Sequence, residues 1–214
     1  FGKKFIEFLL KNKLAKKIVL FSRDEHKHQE IKSNLFFKKH LKYLRFYVGD
    51  IRDKNRLNLV IKKNDYVVHA AAMKHVDVCE YNPFEAVNTN IIGTQNLVDV
   101  CINKEIKKLV MLSTDKAAAP LNLYGATKLA AEKLVLSANM YKGSSNAKFL
   151  VVRYGNVAGS KGSVIPLFKE MVKKKQTLTI TDKKMTRFNL SLLDSCRFVY
   201  KILKFKNMEG VYVP

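Results

Sequence analysis

Tyr124 and Lys128 carry the clearest chemical signal in the sequence. Residues four positions apart share one face of a helix. An ammonium group beside a phenol lowers the phenol pKa from its usual value of about 10, and tyrosine can then act as a general base. The spacing alone is a weak signal, because a surface tyrosine beside a solvated lysine shows it too.

The segment that precedes this pair strengthens the interpretation. Ser113, Thr114, Asp115 and Lys116 follow a short apolar run that predicts a buried strand. Open α/β sheets bind their ligands at the carboxyl ends of such strands. We therefore take Thr114, Asp115 and Lys116, together with Tyr124 and Lys128, as the candidate catalytic residues.

Short β-rich runs alternate with longer helical stretches and must position these side chains. The predicted strands are Lys17 to Phe21, Arg45 to Val48, Tyr66 to His69, Lys108 to Leu112 and Phe149 to Arg153. The predicted helices are Glu25 to Leu35, Arg56 to Lys63, Pro83 to Asn103, Leu123 to Tyr141, Val164 to Lys175 and Leu192 to Phe205. This alternation predicts an α/β fold with a doubly wound, Rossmann-type parallel sheet.

The two ends of the sequence suggest a larger protein. The chain begins inside a predicted helix, so we expect a first strand and a glycine-rich turn before it. If Gly2 ends that turn, the next strand should end about twenty residues later, as it does near Ser22. We expect residues 1–155 to be a nucleotide-binding domain without its first strand. Residues 156–214, with a short strand over 177–181 and an edge strand at GVYVP, would be part of a substrate-binding region.

Composition limits the class of protein. Apolar residues make up 47% of the chain and charged residues 27%, as in a folded globular protein. The net charge of +22 suggests nucleic acid as a partner, but only seven of the forty basic residues are arginine and the lysines are dispersed. We expect no nucleic-acid partner and no membrane span, and a cytoplasmic location for a chain with three isolated cysteines.

Two further patterns have ordinary explanations. His69 and His75 lack a third ligand at metal-binding spacing, so no metal site is expected. The stretch from Phe36 to Tyr47 mixes aromatic residues and lysines as RNA-binding surfaces do, but it also suits a loop leading into a strand.

Five motifs together resemble the inverting UDP-N-acetylglucosamine 4,6-dehydratases of the extended short-chain dehydrogenase/reductase superfamily, and the resemblance covers the whole chain. They are FSRDEHK (21–27), HAAAMKHVDVCEYNPFEAVNTNIIGTQN (69–96), STDKAAAPLNLYGATK (113–128), VVRYGNVAGSKGSVIP (151–166) and ITDKKMTRF (180–188). Retaining relatives carry Thr-Asp-Glu where this chain has Thr114-Asp115-Lys116, so the resemblance is to the inverting group.

The resemblance implies binding residues for a cofactor and for a nucleotide-sugar. Arg23 stands where NAD-specific relatives place an acid, and an arginine there suits the 2′-phosphate of NADP. The implied cofactor-binding residues are Gly2, Ser22, Arg23, Asp24, Glu25, Lys27, Asp50, Ile51, Ala70, Ala71, Thr89, Asn90, Tyr124 and Lys128. The implied substrate-binding residues are Lys74, Asn156, Val157, Val164, Ile165, Thr181 and Arg187.

The implied reaction is a dehydration at C4 and C6 with inversion at C5, for pseudaminic acid or another surface polysaccharide. Tyr124 takes the C4 hydroxyl proton, Lys116 removes the C5 proton and Asp115 protonates the leaving C6 hydroxyl. Two alternatives stay open: a UDP-sugar 4-epimerase of the same superfamily, and a basic nucleic-acid-binding protein on an inactive nucleotide fold. The resemblance also implies a homo-oligomer, either a dimer or a hexamer.

Overall fold

The computed structural model describes residues 1–63, 65–159, 164–180, 182–206 and 209–214. Its helices are α1 (Gly2–Lys11), α2 (Glu25–Ser33), α3 (Leu35–Lys38), α4 (Lys54–Val60), α5 (Val76–Tyr81), α6 (Pro83–Val87), α7 (Gly93–Asn103), α8 (Leu123–Tyr141), α9 (Val164–Lys173) and α10 (Leu192–Lys204). Its strands are β1 (Ile18–Ser22), β2 (Leu44–Val48), β3 (Tyr66–His69), β4 (Lys108–Thr114), β5 (Lys148–Tyr154), β6 (Asn156–Val157), β7 (Asn189–Leu190) and β8 (Gly210–Tyr212).

The strands form parallel sheets. Strands β3, β4, β5 and β8 are neighbours in that order, β1 pairs with β2, and β6 pairs with β7. Helices precede and follow the parallel strands along the chain. This is the doubly wound α/β arrangement that the sequence predicts.

Central strand β4 shows why the sheet is covered on both faces, since all seven of its residues are buried. Leu109 and Met111 pack in a core cluster with residues of α7 and α8. Val110 and Leu112 point the other way, into a cluster with residues of α1 and α10. Successive side chains of a strand alternate between faces, so a continuous apolar run implies two packed layers.

The end of α10 is fixed by a buried lysine at the start of β4. The Lys108 ammonium donates to the carbonyl oxygens of Ile202, Leu203 and Phe205. The last carbonyls of a helix lack the usual intrahelical donors, although Ile202 also accepts from the Phe205 amide, and a cation there suits the helix dipole. Lys108 therefore joins the α10 layer to the central strand.

Most predicted elements are confirmed, with ends shifted by up to three residues; the largest shift is at α4, which ends at Val60 and not at Lys63. Helix α8 has the predicted bounds. The predicted helix from Pro83 to Asn103 is present as α6 and α7 joined by a π-helical turn at Asn88–Ile92. The stretch from Phe36 to Tyr47 forms α3, a 3₁₀ turn and most of β2, so it contains more helix than the predicted loop.

The strand predicted over 177–181 is wrong for its described part. Residues 177–180 are irregular, and Thr181 lies outside the described residues. Leu178 and Ile180 are exposed, so this run has no buried face to hold it in a sheet. The partner of β6 is β7 instead.

No helix among the described residues combines the length and the apolar character that a membrane span requires.

Candidate functional site

The carboxyl end of β4 and the first turn of α8 meet at one place. The Thr114 hydroxyl accepts a hydrogen bond from the Lys116 amide, at 3.3 Å, and so shapes the 3₁₀ turn Asp115–Ala117. Asn122 caps α8 by accepting from the Gly125 amide at 2.9 Å. A β-carbon on Gly125 would lie 2.3 Å from the Lys116 carbonyl oxygen. Only glycine therefore allows this close approach, which places Tyr124 beside Thr114.

Asp115 and Lys116 form an ion pair that also contacts β6. The Lys116 ammonium lies 3.1 Å from a carboxylate oxygen of Asp115 and 3.5 Å from the side-chain oxygen of Asn156. Burial by itself would raise the pKa of Asp115. Hydrogen bonds from Thr114 and Lys116 outweigh that effect and lower it. Asp115 is accordingly a carboxylate near neutral pH, and its Oδ1 accepts from both Thr114 and Lys116.

Tyr124 is half-buried and its pKa is raised, chiefly because burial disfavours the phenolate, although a side-chain hydrogen bond with Thr114 acts in the opposite direction. This differs from the lowered pKa expected from the neighbouring lysine. Lys128 donates to the Leu112 carbonyl oxygen at 2.8 Å, and burial lowers the pKa of Lys128 to about 8. Helical spacing put both residues on one side of α8, but burial decides their ionisation.

A buried polar network holds the loop after β3. Asn90 accepts from the Met73 amide at 2.8 Å and donates to the Met73 carbonyl oxygen and to the Thr127 hydroxyl, both at 3.0 Å. His69 shares a hydrogen bond of 2.9 Å with Thr94, and burial lowers the pKa of His69 to about 3. Asn90, implied as a cofactor contact, is thus fully used in positioning the loop after β3.

Thr89, also implied as a cofactor contact, is different. Its hydroxyl is buried and has no hydrogen-bond partner among the described residues. A buried hydroxyl without a partner costs free energy, so it is a position where a bound group would be favourable. Ala70 and Ala71, after β3, are both exposed and therefore accessible to a ligand.

The ends of β1 and β2 bring the other implied cofactor residues together. The Arg23 guanidinium is more than half exposed and lies 3.6 Å from Asp50, which Arg52 also pairs with at 2.8 Å. Asp24 caps α2 by accepting from the Lys27 amide at 3.0 Å, and it pairs with the Lys27 ammonium. Arg23 therefore does not pair with its neighbour Asp24, and its guanidinium is accessible beside the strand end.

The remaining implied cofactor residues differ in exposure. Ser22 shares a hydrogen bond of 3.1 Å with the buried His28. Glu25 is exposed in the first turn of α2. Ile51 is buried in the core, in the same cluster as Leu97. Gly2 begins α1, and a β-carbon there would meet nothing within 4 Å in the described structure.

The implied substrate residues are only partly assembled. Asn156 and Val157 form β6 and are half-buried, and Asn156 contacts Lys116. Val164 and Ile165 lie exposed at the start of α9. Lys74 and Arg187 are exposed in loops. Thr181 lies outside the described residues.

A buried carboxylate that the sequence analysis missed lies directly beneath this site. Glu132 accepts hydrogen bonds from Ser113 of β4 and from two nitrogens of Arg153 of β5. Glu132 follows Lys128 by four positions on the same helical face as Tyr124, and that spacing could have indicated it. Its partners could not be inferred, because they depend on the register of β4 against β5.

Comparison with known proteins gives the family. The sequence matches the family described as "Polysaccharide biosynthesis protein" over residues 1–214. The chain belongs to this family. The polysaccharide biosynthesis family match covers every residue of the candidate site.

Individual relatives are longer than this chain. An inverting UDP-N-acetylglucosamine 4,6-dehydratase from Campylobacter jejuni is 48% identical over 217 residues, which is all of this chain and 63% of the relative. A UDP-glucose 4-epimerase from Rickettsia rickettsii is 40% identical over 216 residues, again all of this chain and 62% of the relative. The chain therefore spans less than two thirds of the length of these relatives.

A solved structure supports the fold. The X-ray structure of Pen from Bacillus thuringiensis superposes with a TM-score of 0.92 at 42% identity. The superposition covers 99% of this chain and 64% of that chain. The Rossmann-type fold predicted from the sequence is confirmed.

Proposed function

We propose that the full-length protein is an NADP-dependent, inverting UDP-N-acetylglucosamine 4,6-dehydratase. One observation carries the proposal: Asp115 and Lys116 form a contacting acid–base pair between Tyr124 and Asn156. Dehydration needs an acid and a base besides the tyrosine, whereas simple oxidation and reduction at C4 does not. The relative from Campylobacter jejuni carries the name of this reaction.

Several described residues fit an NADP cofactor. Arg23 offers an accessible guanidinium at the end of β1, which suits bidentate contact with a 2′-phosphate. The Thr89 hydroxyl has no hydrogen-bond partner in the described part of the chain, and the small side chains of the exposed Ala70 and Ala71 would not obstruct a flat ring. When bound, NADP supplies a hydride acceptor that returns the same hydride, so one turnover has no net redox change.

Tyr124 acts first in the proposed mechanism, by taking the proton of the C4 hydroxyl as that carbon is oxidised. Its raised pKa in the described structure means that the phenolate needs a stabilising charge. Lys128, one helical turn away, supplies that charge while it remains an ammonium ion. Thr114 keeps the phenol oriented through their hydrogen bond.

Before the elimination, a proton must pass from the Lys116 ammonium group to the Asp115 carboxylate. Lys116 can accept the C5 proton only as a neutral amine, and Asp115 can donate a proton to the C6 oxygen only as a carboxylic acid. Transfer of one proton along their 3.1 Å hydrogen bond produces both forms at once. Covering the pair with substrate favours this transfer, because desolvation penalises two separate charges.

In the elimination, each transferred proton has a named donor and a named acceptor. The C5–H bond breaks and its proton goes to Lys116, while the C6–O bond breaks and its oxygen leaves as water with the proton of Asp115. C6 would regain the hydride that was removed from C4, and a solvent proton would add to C5 from the face opposite Lys116, so that the C5–C6 double bond becomes a methyl group on an inverted centre. The product is UDP-2-acetamido-2,6-dideoxy-β-L-arabino-hex-4-ulose.

The test is incubation of the full-length protein with UDP-N-acetylglucosamine in D₂O, followed by proton NMR. We expect a C6 methyl signal, deuterium at C5 and a coupling pattern that reports inversion. Lys116→Gln should abolish the C5 exchange. A product that retains hydrogen at C5 would refute the proposal.

A UDP-sugar 4-epimerase is the second candidate, because the relative from Rickettsia rickettsii carries that name. The same NMR experiment separates the two functions. An epimerase changes only C4, retains the C5 hydrogen and leaves the Asp115–Lys116 pair without a catalytic role.

The setting of the reaction is part of the proposal. We place the enzyme in the cytoplasm, at an early step of pseudaminic acid or other surface polysaccharide synthesis, in keeping with the family description. A homo-oligomer is supported by exposed apolar side chains on and near α5, α6 and α8. They include Tyr81, Phe84, Leu121 and Met140. Light scattering of the full-length protein would give its oligomeric state.

A further inference from the structure

Glu132 occupies a position that connects the candidate site to the sheet beneath it. Its side chain is 2% exposed, although a carboxylate is rarely buried without a specific partner. One carboxylate oxygen accepts from the Ser113 hydroxyl and from Arg153 Nε at 3.1 Å, and the other accepts from Arg153 Nη2. The contact is therefore bidentate, with a third donor added.

The two partners of Glu132 are neighbours across the sheet. Ser113 of β4 is paired directly with Arg153 of β5 in the parallel register. The next pair along the strands is Thr114 with Tyr154, and Asp115 follows Thr114. Glu132 thus holds α8 against β4 and β5 at the residue pair that immediately precedes Thr114 and Asp115 along the chain.

The same carboxylate lies one helical turn from Lys128. Lys128 is buried and donates to Leu112, the residue before Ser113. The negative charge of Glu132 opposes the effect of burial on Lys128. An ammonium ion kept away from water needs such a charge to remain protonated.

We propose that Glu132 is a positioning residue, which keeps Lys128 in its ammonium form and holds the Tyr124–Lys128 face of α8 at a set depth over β4 and β5. Only the catalytic effect expected of Glu132 rests on the proposed function. The ionisation of Lys128 can be measured whether or not the protein is a dehydratase.

Charged groups other than Glu132 also lie near α8, and the experiment must distinguish their effects on the pKa of Lys128 from the effect of Glu132. His69 of β3 is electrostatically coupled to Lys128, but it is neutral at physiological pH because its pKa is about 3. Within the described residues, the elements packed against α8 also carry Asp115, Lys116, Arg153, Asp77, Glu80, Glu85, Asp99, Lys108 and Lys148. Most of these make hydrogen bonds or ion pairs elsewhere: Asp115 with Lys116, Glu85 with Arg52, Asp99 with Lys54, and Glu80 with the Leu123 amide. Glu132 is the acid that raises the pKa of Lys128.

The experiment is an NMR titration of the full-length protein labelled with ¹³C at the lysine ε-carbon. The Lys128 signal is assigned by its absence in Lys128→Met. We expect Glu132→Gln to lower the titration midpoint of Lys128 by about one pH unit or more, the usual effect of losing a nearby opposite charge. Glu132→Asp, which keeps the charge, should restore most of that shift.

A matched control exists on the same helix. Asn139 also joins α8 to β5, through hydrogen bonds of 2.8 and 3.1 Å to the Phe149 backbone, but it carries no charge. Asn139→Leu should lower the melting temperature and leave the Lys128 midpoint unchanged. If Glu132→Gln does not fold, the double variant Glu132→Gln/Arg153→Met is compared with Arg153→Met alone, so that only the charge at residue 132 differs, and the double variant should have the lower midpoint.

Two results would overturn the inference. One is a Lys128 midpoint that is unchanged in Glu132→Gln relative to wild type, or in the double variant relative to Arg153→Met. The other is an equal shift in Asn139→Leu, which would mean that loosening α8 suffices. A wild-type protein that forms no keto-sugar would instead refute the proposed function, and the titration would still decide the role of Glu132. In an active enzyme, the alkaline limb of the pH–rate profile should move with the Lys128 midpoint.

Discussion

Gly125→Ala tests whether the closeness of α8 to the turn at residues 115–117 is essential for the site. The added β-carbon would lie 2.3 Å from the Lys116 carbonyl oxygen and 3.0 Å from Pro120 Cβ. The first contact is with backbone, so no side-chain rotation can relieve it. Either the start of α8 or the turn that carries Asp115 and Lys116 must move.

The size of the movement follows from the contact. A non-bonded carbon–oxygen approach needs at least about 3 Å, so the two elements must separate by roughly 0.7 Å. Displacements of this size between reacting groups cost roughly 10- to 100-fold in rate. Stability should change less, because alanine gains about 0.5–1 kcal/mol of helix propensity over glycine, which offsets part of the crowding.

The assay is keto-sugar formation by the full-length protein, measured together with thermal unfolding. Ala126→Gly is the control, since it lowers helix propensity at the exposed neighbouring position without altering the contact. We expect Gly125→Ala to lose at least tenfold in kcat and Ala126→Gly to stay within about twofold. If Gly125→Ala keeps its full rate and its melting temperature, the argument for a required close approach is refuted.

Three further predictions concern cofactor, stability and pH. Arg23→Ala should weaken NADP⁺ binding by about 10- to 100-fold and NAD⁺ binding by less than about threefold, because only NADP⁺ carries the 2′-phosphate. Calorimetry would measure both affinities, and equal losses would mean that Arg23 does not contact the 2′-phosphate. Lys108→Met should lower the free energy of unfolding by about 2–4 kcal/mol in urea titrations, since the carbonyl oxygens of Ile202, Leu203 and Phe205 at the end of α10 lose the Lys108 ammonium. Lys107→Met, which removes a surface cation from the Tyr66 ring, should cost less than about 1 kcal/mol, and similar losses in both variants would contradict the buried cap. Finally, His69 binds a proton below about pH 6.5 in the unfolded state but only below about pH 3 in the folded state, so the free energy of unfolding falls as the pH falls through that window. The loss amounts to about 2 kcal/mol at pH 5, and His69→Gln should remove that part of the pH dependence in urea titrations at pH 7 and 5.

The strands and the catalytic helix were predictable because their signals are local. Every residue of β4 is buried, and a continuous apolar run is typical of a central parallel strand. Helix α8 begins after Asn122, a favoured capping residue, and its bounds were predicted to the residue. The predicted strand over 177–181 failed because β-propensity describes a fit to a buried surface, and Leu178 and Ile180 lie against none.

The candidate site was predictable in its composition and only partly in its electrostatics. Spacing placed Tyr124 and Lys128 on one side of α8, and the end of β4 placed Asp115 and Lys116 beside them. The direction of the Tyr124 pKa shift was not predictable, because it depends on how much water the surrounding elements exclude. The bridge from Lys116 to Asn156 joins residues forty positions apart, and the sequence contains no sign of it.

The sequence by itself determined the alternation of strands and helices, and which residues could act as acids and bases. These properties depend on neighbours within a few positions, through hydrophobic periodicity, capping and side-chain chemistry. The tertiary structure alone decided that Glu132 meets Ser113 and Arg153, that Lys108 caps α10, and that no described residue bonds to the Thr89 hydroxyl. The physical reason is that strand register and burial arise from contacts between distant segments, and these contacts set both the partners and the charges of buried groups.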